Sequence, residues 1–165
     1  MLEPGTYADT FRALSASITQ VKGRNIGIVD RGDHVEVSWL GDDGVRHERH
    51  FNEPDLASLR EWGKKLRGAH RSAPTGITEA VRSLRDQGIP DAVESLRTLG
   101  QILDERAAEE IAIAEMTGGY WVSWNSRGAK VSMVFARDEL TARALRYQTL
   151  RGRPDEAAPT MRRRR

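Results

Sequence analysis

Two imidazoles and two carboxylates fall at alternate positions of two neighbouring segments, His34 and Glu36 in the first and Glu48 and His50 in the second. Alternate residues of a strand share one face. If Asp42-Asp43-Gly44 is a hairpin loop, Val35 pairs with Phe51 and Glu36 with His50, and the four side chains meet on one exposed face. Nitrogen and carboxylate donors in that arrangement could hold a divalent metal. The same residues serve equally well as cross-strand ion pairs on a solvated face, which stabilise a sheet without any ligand. The sequence favours that simpler reading.

Other motif fragments fail on their own chemistry. Gly27-Ile28-Val29-Asp30-Arg31-Gly32 has the glycine spacing of a phosphate loop but continues with Asp33-His34, not with Lys and Ser or Thr. His34-Val35-Glu36 opens like a zinc deaminase motif, yet the chain has no cysteine to complete it. His47-Glu48-Arg49-His50 is one residue short of His-Glu-x-x-His and lies on an expected strand, where positions 47 and 50 face opposite ways. No Ser, His and Asp grouping has a nucleophile turn. The lack of cysteine also excludes disulfide scaffolds, thiol nucleophiles and iron-sulfur clusters. The expectation is a protein without catalytic activity and without a cofactor.

The elements that would position these residues emerge when the chain is compared with itself. His34-Val35-Glu36-Val37-Ser38-Trp39 aligns with Gly119-Tyr120-Trp121-Val122-Ser123-Trp124 at an offset of 85, and Phe51 and Leu56 align with Phe135 and Leu140 at 84. The hairpin loop loses one residue. Upstream, Phe11-Arg12-Ala13-Leu14 matches Leu96-Arg97-Thr98-Leu99, and Ile26 and Ile28 match Ile111 and Ile113. Helical spacing of Phe11, Leu14 and Ile18, capped by Thr6 or Asp9, is followed by alternating strands and by a helix that Asn52 to Asp55 cap. The fold class expected is α+β: two tandem αβββα repeats, each a three-stranded antiparallel sheet with helices packed on one face, joined by a short linking helix. The units are 6–68 and 90–151, with a linker at 69–89 carrying a helix at 77–87, and a disordered Arg-rich tail at 152–165.

The repeats differ outside their cores. With Tyr120, Val122 and Trp124 turned inward, Trp121 must face the other way, beside Val134, where the first repeat has Glu36 and His50. One outer face is sticky and the other polar. Such an apolar patch is expected to be covered by the linking helix, the other repeat or a second chain. The register also turns His47 and Arg49 inward, opposite Val131 and Met133 of the second repeat, which requires an exposed sheet edge because buried charge there is costly.

The chain has 165 residues, 26 of them basic and 24 acidic, but six basic and two acidic residues fall in 151–165. Residues 1–150 therefore carry a net charge of −2, and the basic pI near 9.2 is largely a property of the tail. Basic candidates lie late in each repeat: Arg60, Lys64, Lys65 and Arg67, then Arg143 and Arg146. They could straddle a nucleic-acid backbone, although cations suit helix C-termini whatever the function.

The order helix, three strands, helix is similar to the topology of double-stranded-RNA-binding domains. Those domains carry a Lys-Lys-x-Ala-Lys-type cluster at the start of the last helix. Here the matching stretches, Asn52-Glu53-Pro54-Asp55-Leu56 and Ala136-Arg137-Asp138-Glu139-Leu140, are acidic. Any nucleic-acid surface would have to lie elsewhere. No apolar run approaches the roughly 18 residues of a membrane span, and the first five residues lack the regions of a signal peptide. The expectation is a cytoplasmic interaction or assembly module with a protein partner or self-association, Trp121 and Val134 being its contact surface. Nucleic-acid binding through the basic helix ends is the alternative, and a metal protein or enzyme at His34, Glu36, Glu48 and His50 the second alternative.

Overall fold

The computed structural model describes residues 2–72 and 91–152. In chain order the elements are α1 (Tyr7–Gln20), β1 (Arg24–Asp30), β2 (Val35–Leu40), β3 (Arg46–Phe51), α2 (Glu53–Ser72), α3 (Asp91–Glu105), β4 (Glu109–Met116), β5 (Gly119–Ser126), β6 (Ala129–Ala136) and α4 (Arg137–Gly152). The linking helix expected at 77–87 and the tail from residue 153 lie outside the described residues.

The expectation of two three-stranded sheets is corrected by a single six-stranded antiparallel sheet in the order β3-β2-β1-β4-β5-β6. Its central joint pairs Gly27 with Ala114, Ile28 with Ile113 and Val29 with Ala112. Two separate sheets would each expose a row of unpaired backbone groups beside an isoleucine-rich strand. Pairing β1 with β4 satisfies both rows and brings Ile26, Ile28, Ile111 and Ile113 into one core. Alternation reports the face that each residue takes, but it says nothing about what lies across an edge.

Within each half the chain runs helix, three strands, helix. The β2–β3 hairpin pairs Val35 with Phe51 and Glu36 with His50, and Gly44, at φ 76°, closes its three-residue loop. The β5–β6 hairpin pairs Ser126 with Ala129 across Arg127 and Gly128 alone, both at positive φ. That is the residue by which the offset falls from 85 to 84. Both entry strands bulge, between Arg24 and Gly27 and between Glu109 and Ala112. Asn25 and Glu110 sit at φ 51° and 48°, and Lys22 and Ala107 at 51° and 46°. Each of these pairs is separated by 85 positions.

The helices form one layer, α2-α1-α3-α4, over one face of the sheet, with Phe11, Leu14, Leu56, Leu96, Leu99, Ile102 and Leu140 in the same apolar cluster as the inward strand residues. Asn52 and Asp55 exchange side-chain to backbone hydrogen bonds at 3.1 and 3.3 Å, the reciprocal cap that the sequence implies for α2. The cap expected for α1 is corrected. Thr6 makes no side-chain cap bond; instead the Tyr7 and Ala8 amides each donate to Asp104, near the end of α3, at 2.9 Å. The last turn of α3 thus meets the first turn of α1, and a carboxylate there complements the positive end of the helix dipole. Among the described residues no helix is long and apolar enough to cross a membrane.

Candidate functional site

With all four described helices on one side, the opposite face of the six strands carries the exposed chemistry. The registers define two rows across it: Glu48, Ser38, Gly27, Ala114, Trp121, Val134, and His50, Glu36, Val29, Ala112, Ser123, Ser132. Charge gathers at β2 and β3, small side chains fill the middle, and apolar bulk gathers at β5 and β6.

At the apolar end Trp121 pairs directly with Val134, as expected, and they are 37% and 59% exposed. Exposed Met116 follows two positions after Ala114, on the same face. Among the described residues β6 is the edge of the sheet beyond them, eight residues long with Lys130 its one charged side chain. The opposite edge contrasts sharply. β3 carries Arg46-His47-Glu48-Arg49-His50 in succession, all exposed. An edge strand bearing charge resists pairing with another chain, whereas a long apolar one invites it.

At the polar end the structure brings together His34, Glu36 and His50, one donor atom of each lying within 4.8 Å of the others. The two rings are 4.8 Å apart between centroids. Glu48 belongs to the group through His50, its Oε1 accepting from Nε2 at 2.6 Å. Two neighbours escaped the reading of the sequence. Asp33 lies 2.7 Å from Nδ1 of His34, and this hydrogen bond, more than any other cause, holds the Asp33 carboxyl below its usual range. Arg31 donates from Nε and Nη2 to Oε2 of Glu36 at 3.1 and 3.0 Å. Both flank the Gly32 turn, and only the turn's closure, with Gly32 at φ 92°, brings them beside the strand.

On the helix side, a cleft of about 360 Å³ opens between α1, α2 and the β2–β3 hairpin, walled by Trp39, Phe51, Leu59 and Trp62, with Arg49 and Asp55 among its polar lining. His47 and Arg49 are exposed, as their inward register requires. Trp39 stacks on His47 at 5.6 Å, and the Arg49 guanidinium lies 4.8 Å over Phe51. The basic candidates do not form one patch. α2 and α4 lie at opposite flanks of the helix layer, and most of their cations already have partners. Arg60 is paired with Glu3 and Glu53, Lys64 with Glu61, Arg67 with Asp9 and Arg143 with Glu139. Lys65 and Arg146 are exposed. Comparison of the chain with protein-family models, curated proteins and solved structures finds no match.

Proposed function

We propose that this protein is a non-catalytic assembly module built by internal duplication, with units at 6–68 and 90–151, and that its partner is a second copy of the same chain. The reading rests on the contrast between the sheet's two edges. β6 offers eight residues of backbone with one charge, and β3 offers five consecutive charged or imidazole side chains. Antiparallel pairing of β6 with β6 of a second copy would satisfy the β6 backbone groups that no described strand pairs and extend the sheet from six strands to twelve. Such a contact is isologous and closes as a dimer. The charged β3 edges at the two ends oppose further growth. Trp121 and Val134, beside the joint, would gain cover from the partner's equivalents.

The β1–β4 joint within the chain supports this reading by analogy, since it pairs two corresponding strands antiparallel about Ile28 and Ile113, positions 85 apart. The test is sedimentation of the wild type, Trp121→Ser and Val134→Lys at matched concentrations. A wild-type dimer that Val134→Lys converts to monomer supports the proposal, with Trp121→Ser weakening the dimer by about tenfold, the order expected for truncating a large aromatic that the partner covers. A monomeric wild type, or a dimer indifferent to both substitutions, overturns it. A salt-sensitive gel shift abolished by charge reversal at Lys64 and Lys65 would move the function to the basic helix flank.

A further inference from the structure

We infer that the turn before β2 and the β2–β3 hairpin form a mononuclear transition-metal site, with His34, Glu36 and His50 as ligands and Zn²⁺ as the fitting ion. The three side chains come from either side of one antiparallel pair, Glu36 and His50 directly opposite each other and His34 two residues before Glu36. One possible donor atom from each residue lies within 4.8 Å of the others. Tetrahedral zinc at about 2.0–2.1 Å from each ligand needs its donors to approach somewhat closer than that. Half-exposed and exposed side chains can close the remainder by small rotations.

The hydrogen bonds around the three residues favour ligation over ordinary surface pairing. A carboxylate accepts and does not donate, so the proton in each imidazole–carboxylate contact belongs to the ring. Asp33 therefore fixes the N–H of His34 at Nδ1 and directs the lone pair of the neutral ring to Nε2. Glu48 fixes the N–H of His50 at Nε2 and leaves Nδ1 as its donor. Each ring thus has the carboxylate partner that typically orients a metal-bound histidine. Arg31 holds Oε2 of Glu36 in a fork and leaves Oε1 available. Glu48, which the sequence groups with the ligands, becomes an orienting residue. Two nitrogens and one oxygen suit zinc, copper or nickel; calcium and magnesium prefer oxygen sets. A tetrahedral ion would retain one exchangeable position. The matching positions of the second half hold Gly119, Trp121 and Val134, so the stoichiometry is one ion per chain.

The experiment is calorimetric Zn²⁺ titration of the full chain, purified without a histidine tag, together with Co²⁺ absorption as a direct report on ligand type and geometry. Wild type should bind one ion, and the Co²⁺ complex should show a visible spectrum. His50→Ala and Glu36→Gln should each weaken Zn²⁺ binding by about 100-fold. Asp33→Asn should weaken it about tenfold, the lower end of the range for loss of an orienting carboxylate. His47→Ala, on the other side of the sheet, should leave binding unchanged. All these positions are at least partly exposed, and tryptophan fluorescence will verify that each variant is folded. Failure of the wild type to take up Zn²⁺, or uptake that persists unchanged in both His50→Ala and Glu36→Gln, overturns the assignment.

Discussion

The first half, residues 2–72, and the second, 91–152, set their strands and helices alike and finish them differently. At the second strand of each, Trp39 and Trp124 occupy matching inward positions 85 apart. Trp124 is 1% exposed, under the guanidinium of Arg106 at 5.1 Å. Trp39 is only half-buried and looks into the cleft beside α2. Neighbouring inward positions carry Val131 and Met133 in the second half, and His47 and Arg49 in the first. On the opposite face the contrast runs the same way, with Glu36 and His50 in the first half against Trp121 and Val134 in the second. The lesson is that a pattern of buried positions fixes a fold while leaving its rim free to differ. The second half has put its apolar bulk on both faces, and the first has put polar groups on both.

The largest expected consequence concerns these tryptophans. Trp124→Ala removes a fully buried indole from the common core and should cost about 3–5 kcal/mol in urea unfolding. Trp39→Ala enlarges a cleft that is already open, and should cost about 1–2 kcal/mol, since its wall loses fewer contacts. Equal costs would mean that the two indoles contribute alike and that the difference in burial has no energetic weight.

A smaller effect separates the helices. The first turn of α1 is capped by Asp104 of α3, whereas the matching position on α1 is Thr19, exposed and neutral. Asp104→Ala should destabilise the protein by about 1–2 kcal/mol, the usual range for loss of a cap. Thr19→Ala should stay within about 0.5 kcal/mol of wild type, as most exposed substitutions do. If the two alanine variants unfold at the same urea concentration, Asp104 does not hold the halves together in the way its geometry implies.

These particulars show where sequence suffices. The β2–β3 register followed from alternation and one loop type, both local, and the structure reproduces it at Val35–Phe51 and Glu36–His50. The reciprocal cap of Asn52 and Asp55 and the loss of one loop residue were legible for the same reason. Asp104 was not, because it acts across 97 positions of chain on Tyr7. The union of β1 with β4 escaped because edge strands carry no mark of their partner. The polar cluster on β2 and β3 could be listed from its spacing, but Asp33 and Arg31 could not, since a turn rather than a strand period brings them near. Gly63 was equally silent: a Cβ there would lie 1.9 Å from the Asp9 carbonyl oxygen, so α2 presses directly on the backbone of α1.

That close crossing yields the smallest predicted difference between the halves. The position 84 residues after Gly63 is Tyr147, on α4. Where Gly63 has no room for a side chain, α4 stands far enough away for a phenol, which donates to Oε1 of Glu105 at 2.7 Å. Burial first, then this hydrogen bond and the charge of Glu105, push the Tyr147 hydroxyl from 10.0 up to about 12. Between those values the folded protein keeps a proton that the unfolded chain has released. Stability associated with Tyr147 is therefore fully present below pH 10 and is lost as pH rises through about 12. Tyr147→Phe lacks that proton and should lose less stability over the same interval, so the urea midpoints of variant and wild type should converge as the solution becomes more alkaline. Buried Tyr7, whose hydroxyl is also raised, is common to both proteins and cancels in the difference. Parallel profiles from pH 9 to pH 12 would show that the phenol titrates no differently when folded, and that α4 leaves it to solvent.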